Sequence, residues 1–168
     1  MARQAKRMAV CGMMTALGVV LMLLGSVLGL GIYAAPMFVG WCLVPVGKEW
    51  GGKYQVLLWV AISVLSFLFV PNVEENLVFA CLFGWYPLVR PRLQKLRKLP
   101  RLAVKLLLFN TISVALETVL ILFLVPESVQ LWMIALWILM GNIMFLAYDR
   151  AVPVFEMVAA GYFRKLKI

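Results

Sequence analysis

Residues 8–47 run for 40 positions without one charged side chain. A helix needs about 20 mainly apolar residues to cross the roughly 30 Å hydrocarbon core of a bilayer, so this stretch holds two spans. Gly25-Ser26 and Gly29-Leu30-Gly31 break it near its middle and read as the turn of a membrane hairpin. The rest of the chain agrees, with 65% apolar and 14% charged residues in a length of 168. A soluble domain carries about 45–50% apolar and about 25% charged residues. One core of this size could not hide so much hydrocarbon. Six spans of about 20 residues would use about 120 apolar positions. The sequence therefore predicts an all-α integral membrane protein, a single domain over 1–168.

The charges mark the span ends. An island at Lys48-Glu49 and Lys53 follows the hairpin, and a third span covers 54–70, ended by Pro71-Asn72. A short fourth span covers 72–89, and a basic segment follows it, with seven Lys and Arg in 90–105. The fifth span is placed at 102–125, a turn at Pro126-Glu127-Ser128, and the sixth span at 131–148. With the first two at 8–25 and 31–47, the chain becomes a six-transmembrane-helix bundle with both termini on one side. A cytoplasmic N-terminus puts all 16 Lys and Arg inside, and leaves Glu74, Glu75 and Glu127 as the charges of the outer turns. The positive-inside rule then selects N-in/C-in topology in the cell (plasma) membrane. The first apolar run, preceded by Arg3, Lys6 and Arg7, is too long for a cleaved secretory signal and is expected to be retained.

Composition also excludes chemistry. Histidine is absent, and Asp149 is the one aspartate among seven acidic residues. Ser-His-Asp triads, imidazole metal sites and multi-aspartate magnesium sites are therefore excluded. Cys11, Cys42 and Cys81 sit in separate apolar runs without C-x-x-C spacing and read as small hydrophobes. No catalytic residue, metal site or cofactor is expected. The net charge of +9 comes from bases that flank spans. Membrane lipids with anionic head groups, rather than nucleic acid, are the expected partners.

After Asp149-Arg150, Val152, Phe155, Ala159, Tyr162 and Leu166 recur at three- and four-residue spacing, with Glu156, Arg164, Lys165 and Lys167 off that stripe. This predicts a short amphipathic cytoplasmic C-terminal helix over 152–167, lying on the lipid surface or docking a partner.

Intramembrane polar residues are costly and face a bundle interior or cavity, which makes them the best pointers to a site. Asn110, Ser113 and Glu117 fall at i, i+3 and i+7 on one face of the fifth span. Glu74, Glu75 and Asn76 open the fourth span at the outer face, and Asn142 lies in the sixth. Together these seven are the candidate ligand-binding residues, lining one outward-facing pocket. For Glu74 and Glu75 a solvated outer turn is an equal alternative, and for Glu117 a protonated carboxyl bonded to a neighbouring helix. Tyr33 and Trp132 read as interfacial belt residues. The short second and fourth spans, interrupted by Pro36, Pro45, Gly84 and Pro87, are of a kind found beside transport sites. In the first span Ala9, Gly12 and Ala16 form a small-residue patch suited to close helix packing, either within the chain or against a separate subunit.

Six spans in about 170 residues, both ends inside and a basic N-terminus running into small residues resemble the substrate-binding S components of energy-coupling factor (ECF) vitamin transporters. The suggestive stretches are Lys6-Arg7-Met8-Ala9-Val10-Cys11-Gly12-Met13-Met14-Thr15-Ala16-Leu17, Phe83-Gly84-Trp85-Tyr86-Pro87-Leu88-Val89-Arg90 and Tyr148-Asp149-Arg150-Ala151. The resemblance implies a small-molecule ligand held in the outer half of the bundle, and docking on a transmembrane coupling protein driven by two cytoplasmic ATPases. The family's docking motif is Ala-x-x-x-Ala. Gly12 and Ala16 are its nearest match here, since Met13 follows Ala9 at the fourth position. The chain has no Gly-x-x-x-x-Gly-Lys-[Ser/Thr] loop of its own, so energy would come from those partners. A buried Glu117 with Glu74 and Glu75 would favour a cationic or amine-bearing nutrient. The alternative is a small six-span scaffold, similar to the cell-shape protein MreD, with no ligand.

Overall fold

In a computed structural model of the chain, describing residues 2–29, 32–95, 97–123 and 131–165, every regular element among the described residues is helical. The elements are α1 (Ala2–Leu28), α2 (Ala34–Trp50), α3 (Gly52–Phe69), α4 (Val73–Val78), a π-helical turn (Phe79–Phe83), α5 (Tyr86–Leu93), α6 (Lys98–Phe123) and α7 (Leu131–Lys165). Four stretches are long and apolar enough to cross a bilayer: Gln4–Leu28, Gly52–Phe69, Pro100–Leu120 and Ile138–Val158. The protein is thus helical and membrane-embedded.

α2, expected as a short second span, has 17 residues, about 25 Å at 1.5 Å per residue, somewhat short of a full crossing. Two elements differ from the sequence expectation. The stretch expected as a fourth span, 72–89, is not one helix but α4, the π turn and the start of α5. The expected separate C-terminal helix is continuous with the last span, because Pro153 lies inside α7 without ending it. The turn at Pro126-Glu127-Ser128, and Leu30, Gly31 and Leu166, lie outside the described residues, as do the side chains of Ala159 and Tyr162.

The chain divides into two compact units, Met1–Val89 with Val152–Ile168, and Arg90–Ala151. In the first unit α1, α2 and α3 pack on one another, with α4 and the π turn against them. The core contains Met22, Val39, Leu43, Val46, Leu58, Ile62 and Phe79. α1 presents Cys11, Thr15, Gly18, Met22 and Gly25 to this core, at the four-and-three spacing of one helical face. Missing side chains set its approach. A Cβ on Gly18 would lie 2.9 Å from Ile62 and 3.2 Å from Val39, and one on Gly25 would lie 2.4 Å from the Ala35 Cβ. Glycine at such a contact lets helix backbones come close, a common device in membrane helix packing.

These contacts orient the three helices. Arg7 lies over the Tyr54 ring, 5.9 Å from its centroid, so α1 and α3 start at the same end. Gly25 meets Ala35 at the opposite end, and Gly47 meets Gln55 back at the first. α2 therefore runs antiparallel to both. Arg7, Lys48 and Lys53 gather at one end of the unit, and the α1–α2 and α3–α4 connections at the other. The last part of α7 belongs to the same unit. There Phe155 stacks on Trp41 with ring centroids 4.5 Å apart, and Lys48 reaches Glu156 at 3.3 Å.

In the second unit α6 and the first part of α7 pair antiparallel. Lys105 meets Asp149, Phe109 meets Phe145 and Asn110 meets Asn142, so numbers rise on one helix as they fall on the other. The two phenyl rings stack with centroids 4.4 Å apart. The Thr111 and Thr118 hydroxyls donate to the carbonyls of Leu107 and Val114 one turn back, which satisfies them where water is scarce.

Candidate functional site

The polar groups predicted to form one pocket fall into both units. Glu74, Glu75 and Asn76 belong to the first; Asn110, Ser113, Glu117 and Asn142 belong to the second.

In the first unit the chain leaves α3 at Val70, passes Pro71, and Asn72 caps α4 by accepting the Glu75 backbone N–H on its Oδ1 at 3.2 Å, the usual role of Asn at a helix start. This sets Glu75 and Asn76 inward, each 1% exposed, and leaves Glu74 partly exposed. The Asn76 Nδ2 donates to the Val70 carbonyl at 3.0 Å. Two acceptors remain without a hydrogen-bond partner, Glu75 Oε1 and Asn76 Oδ1. The carboxyl reaches the α1 backbone, with Oε1 3.0 Å from the point where a Gly25 Cβ would stand.

Beyond α4 the helix widens. The Gly84 N–H bonds the Phe79 carbonyl at 2.7 Å, the i to i+5 link of a π turn. The Trp59 Nε1–H donates to the Ala80 carbonyl at 3.2 Å, and the Trp85 Nε1–H donates to Cys81. Two indoles thus serve the backbone of the irregular turn. Wide turns of this kind cluster at functional sites, and here the turn directly follows the buried carboxyl.

In the second unit the two asparagines consume one another. The Asn110 Nδ2 donates to Asn142 Oδ1 at 3.0 Å, and the Asn142 Nδ2 donates to Asn110 Oδ1 at 2.9 Å. The remaining amide hydrogens go to Leu106 and Ile138 carbonyls one turn back. All four N–H donors of the pair are used, so only acceptor lone pairs are left for a ligand. Ser113 is partly buried, its Oγ without a hydrogen-bond partner. Glu117, also partly buried, lies one turn further along α6.

A third polar cluster escaped the sequence reading. Asp149 accepts from Lys105 Nζ at 2.8 and 2.6 Å and from Arg90 Nε at 3.2 Å. Both cations are nearly buried, Arg90 at 6% and Lys105 at 5% exposure. The Gln94 amide, its oxygen turned inward, accepts from both terminal nitrogens of Arg90 at 2.9 and 3.1 Å. The signal was present in the sequence: Lys105 and Asp149 are ionisable residues within apolar span stretches, and such charges pair.

The small-residue patch on α1 faces away from the packing surface. Ala9, Gly12 and Ala16 are exposed, and a Cβ on Gly12 would meet nothing within 4 Å. The exposed apolar residues Met8, Met13, Leu17 and Val20 surround it. No group of three or more His, Cys, Asp or Glu among the described residues is placed to hold a metal ion. No family model, curated protein or solved structure matches the chain.

Proposed function

We propose that this chain is the substrate-binding membrane subunit of an ECF-type nutrient uptake transporter. It spans the plasma membrane six times with both termini in the cytoplasm. It captures a small organic ligand near the outer face, carries out no reaction of its own, and depends on a coupling protein and two ATPases for energy. The observation that carries this is the open face of α1. A helix that uses one glycine-containing stripe, Gly18 and Gly25, to pack inside its own unit keeps a second small stripe, Ala9, Gly12 and Ala16, uncovered. Small residues on an uncovered membrane face suit close approach by another helix backbone. Glu75 and Asn76 supply ligand contacts, and Ser113 and Glu117 are further candidates. The scaffold alternative draws on the Asn110–Asn142 pair, where polar groups expected to face a ligand are spent on each other.

Purification from native membranes in mild detergent, with mass spectrometry of everything retained, separates the two. A coupling protein, two ATPases and a small organic molecule are expected. Gly12→Leu, which places a bulky side chain over the patch, should abolish recovery of the coupling protein while membrane insertion and yield stay at wild-type level. Recovery with cell-envelope machinery and no ligand would replace transport by the scaffold.

A further inference from the structure

We propose that Glu75 and Asn76 form a site for the primary ammonium group of a small organic ligand. The proposal rests on the ligand-binding function above and names the chemistry that would occupy it. Two side chains on consecutive residues, each 1% exposed, carry one acceptor apiece, Glu75 Oε1 and Asn76 Oδ1, with no hydrogen-bond partner. Leaving a buried acceptor unmet is costly, so native proteins seldom do so without an occupant. One Asn76 amide N–H is spent on the Val70 carbonyl. The site therefore offers acceptors, and its complement is a donor.

Charge narrows the class further. Residues 8–47 and 54–69, which supply the neighbouring parts of α1, α2 and α3, contain no charged side chain. Arg7, Lys48 and Lys53 lie at the opposite end of the unit, where Arg7 covers Tyr54 and Lys48 meets Glu156. Among the described residues no cation pairs with this carboxyl, and the unit's core is built of apolar residues such as Met22, Val39 and Phe79. An ammonium group brings both the missing charge and several N–H donors, in surroundings where charge-assisted bonds are strong. A ligand carboxylate or phosphate would add a second negative charge to the same apolar setting and is excluded by the same reasoning. A primary ammonium is favoured over a quaternary one, which has no N–H to donate.

The test uses the full chain, purified without partners, and dicyclohexylcarbodiimide, which modifies carboxyls in apolar surroundings. Adducts at Glu75 are quantified by peptide mass spectrometry with ethylammonium, tetramethylammonium or sodium chloride at equal ionic strength. Ethylammonium is expected to slow Glu75 modification several-fold, with tetramethylammonium and sodium inactive. Equal protection by sodium would make this a site for an inorganic cation and overturn the ammonium assignment. Protection by none of the three would overturn the site. Thermal unfolding of the same samples gives a second readout, since a ligand that binds only the folded state raises the midpoint. The rise with ethylammonium should vanish in Glu75→Gln and shrink in Asn76→Leu; a rise unchanged in both variants would place the ammonium elsewhere. Because the isolated chain is probed, a missing coupling protein sinks the transport function without touching this result.

Discussion

Asp149 illustrates what one partly buried charge settles. Its carboxylate accepts three bonds from two nearly buried cations, Lys105 and Arg90. Buried ionisable side chains persist when they pair. Asp149→Asn removes the negative charge and leaves both cations in place; breaking a fully buried pair costs about 3–5 kcal/mol, and the cost here is smaller because the Asp149 side chain is 19% exposed. A fall in the detergent unfolding midpoint is expected. Adding Lys105→Met should recover part of it, since one stranded cation is then gone. If Asp149→Asn unfolds at the wild-type temperature, the cluster contributes nothing to stability. The same economy explains the Asn110–Asn142 pair, where two amides expected to line a pocket meet across 32 residues of sequence. Nothing in their separate spacings tells whether each faces a ligand or the other.

At the scale of the element, the break between α4 and α5 shows how a short apolar stretch departs from a regular span. Pro87 lacks an N–H, and Gly84 sits where the π turn closes on Phe79. A Cβ at Gly84 would stand 2.5 Å from Trp59 Cδ1 and 2.8 Å from the Phe79 carbonyl oxygen. Gly84→Ala must therefore displace the indole that serves the Ala80 carbonyl, at a cost of about 1–3 kcal/mol from overpacking. A lowered unfolding midpoint with normal membrane insertion is the expected outcome; an unchanged midpoint would mean the turn relaxes freely. The sequence marked this region as a short span interrupted by Gly84 and Pro87 but not as a π turn, because whether a helix widens or stops depends on what serves its carbonyls. Here those groups are Trp59, on another helix, and Trp85. α7 is the converse case. A proline and a charged Asp149-Arg150 pair suggested an end to the span, yet the helix continues, with Phe155 stacked on Trp41 and Glu156 reaching Lys48.

For the whole molecule, the proposed orientation yields a direct test. With Cys11, Cys42 and Cys81 replaced, a single cysteine at Asn72 should react with an impermeant maleimide in intact cells. One at Lys95 should react only after the membrane is opened. The reverse pattern would invert the topology, and labelling of both in intact cells would refute a spanning arrangement between them. Arg7, Lys48 and Lys53 lie at one end of the first unit, away from Glu75.

Helical, membrane-embedded character was legible in the sequence alone, because the cost of exposing an apolar run to water adds up residue by residue and needs no knowledge of neighbours. Which way each polar or small residue faces was not legible. Ala9, Gly12 and Ala16 looked as fit for internal packing as Gly18 and Gly25, and only the positions of Val39, Ile62 and Ala35 decided that the second set is buried and the first left open. Likewise Glu75 read as a solvated turn residue or a ligand contact with equal ease. Its burial follows from the cap at Asn72 and the close approach of α1 at Gly25, contacts between residues far apart in the chain, which only tertiary packing brings together.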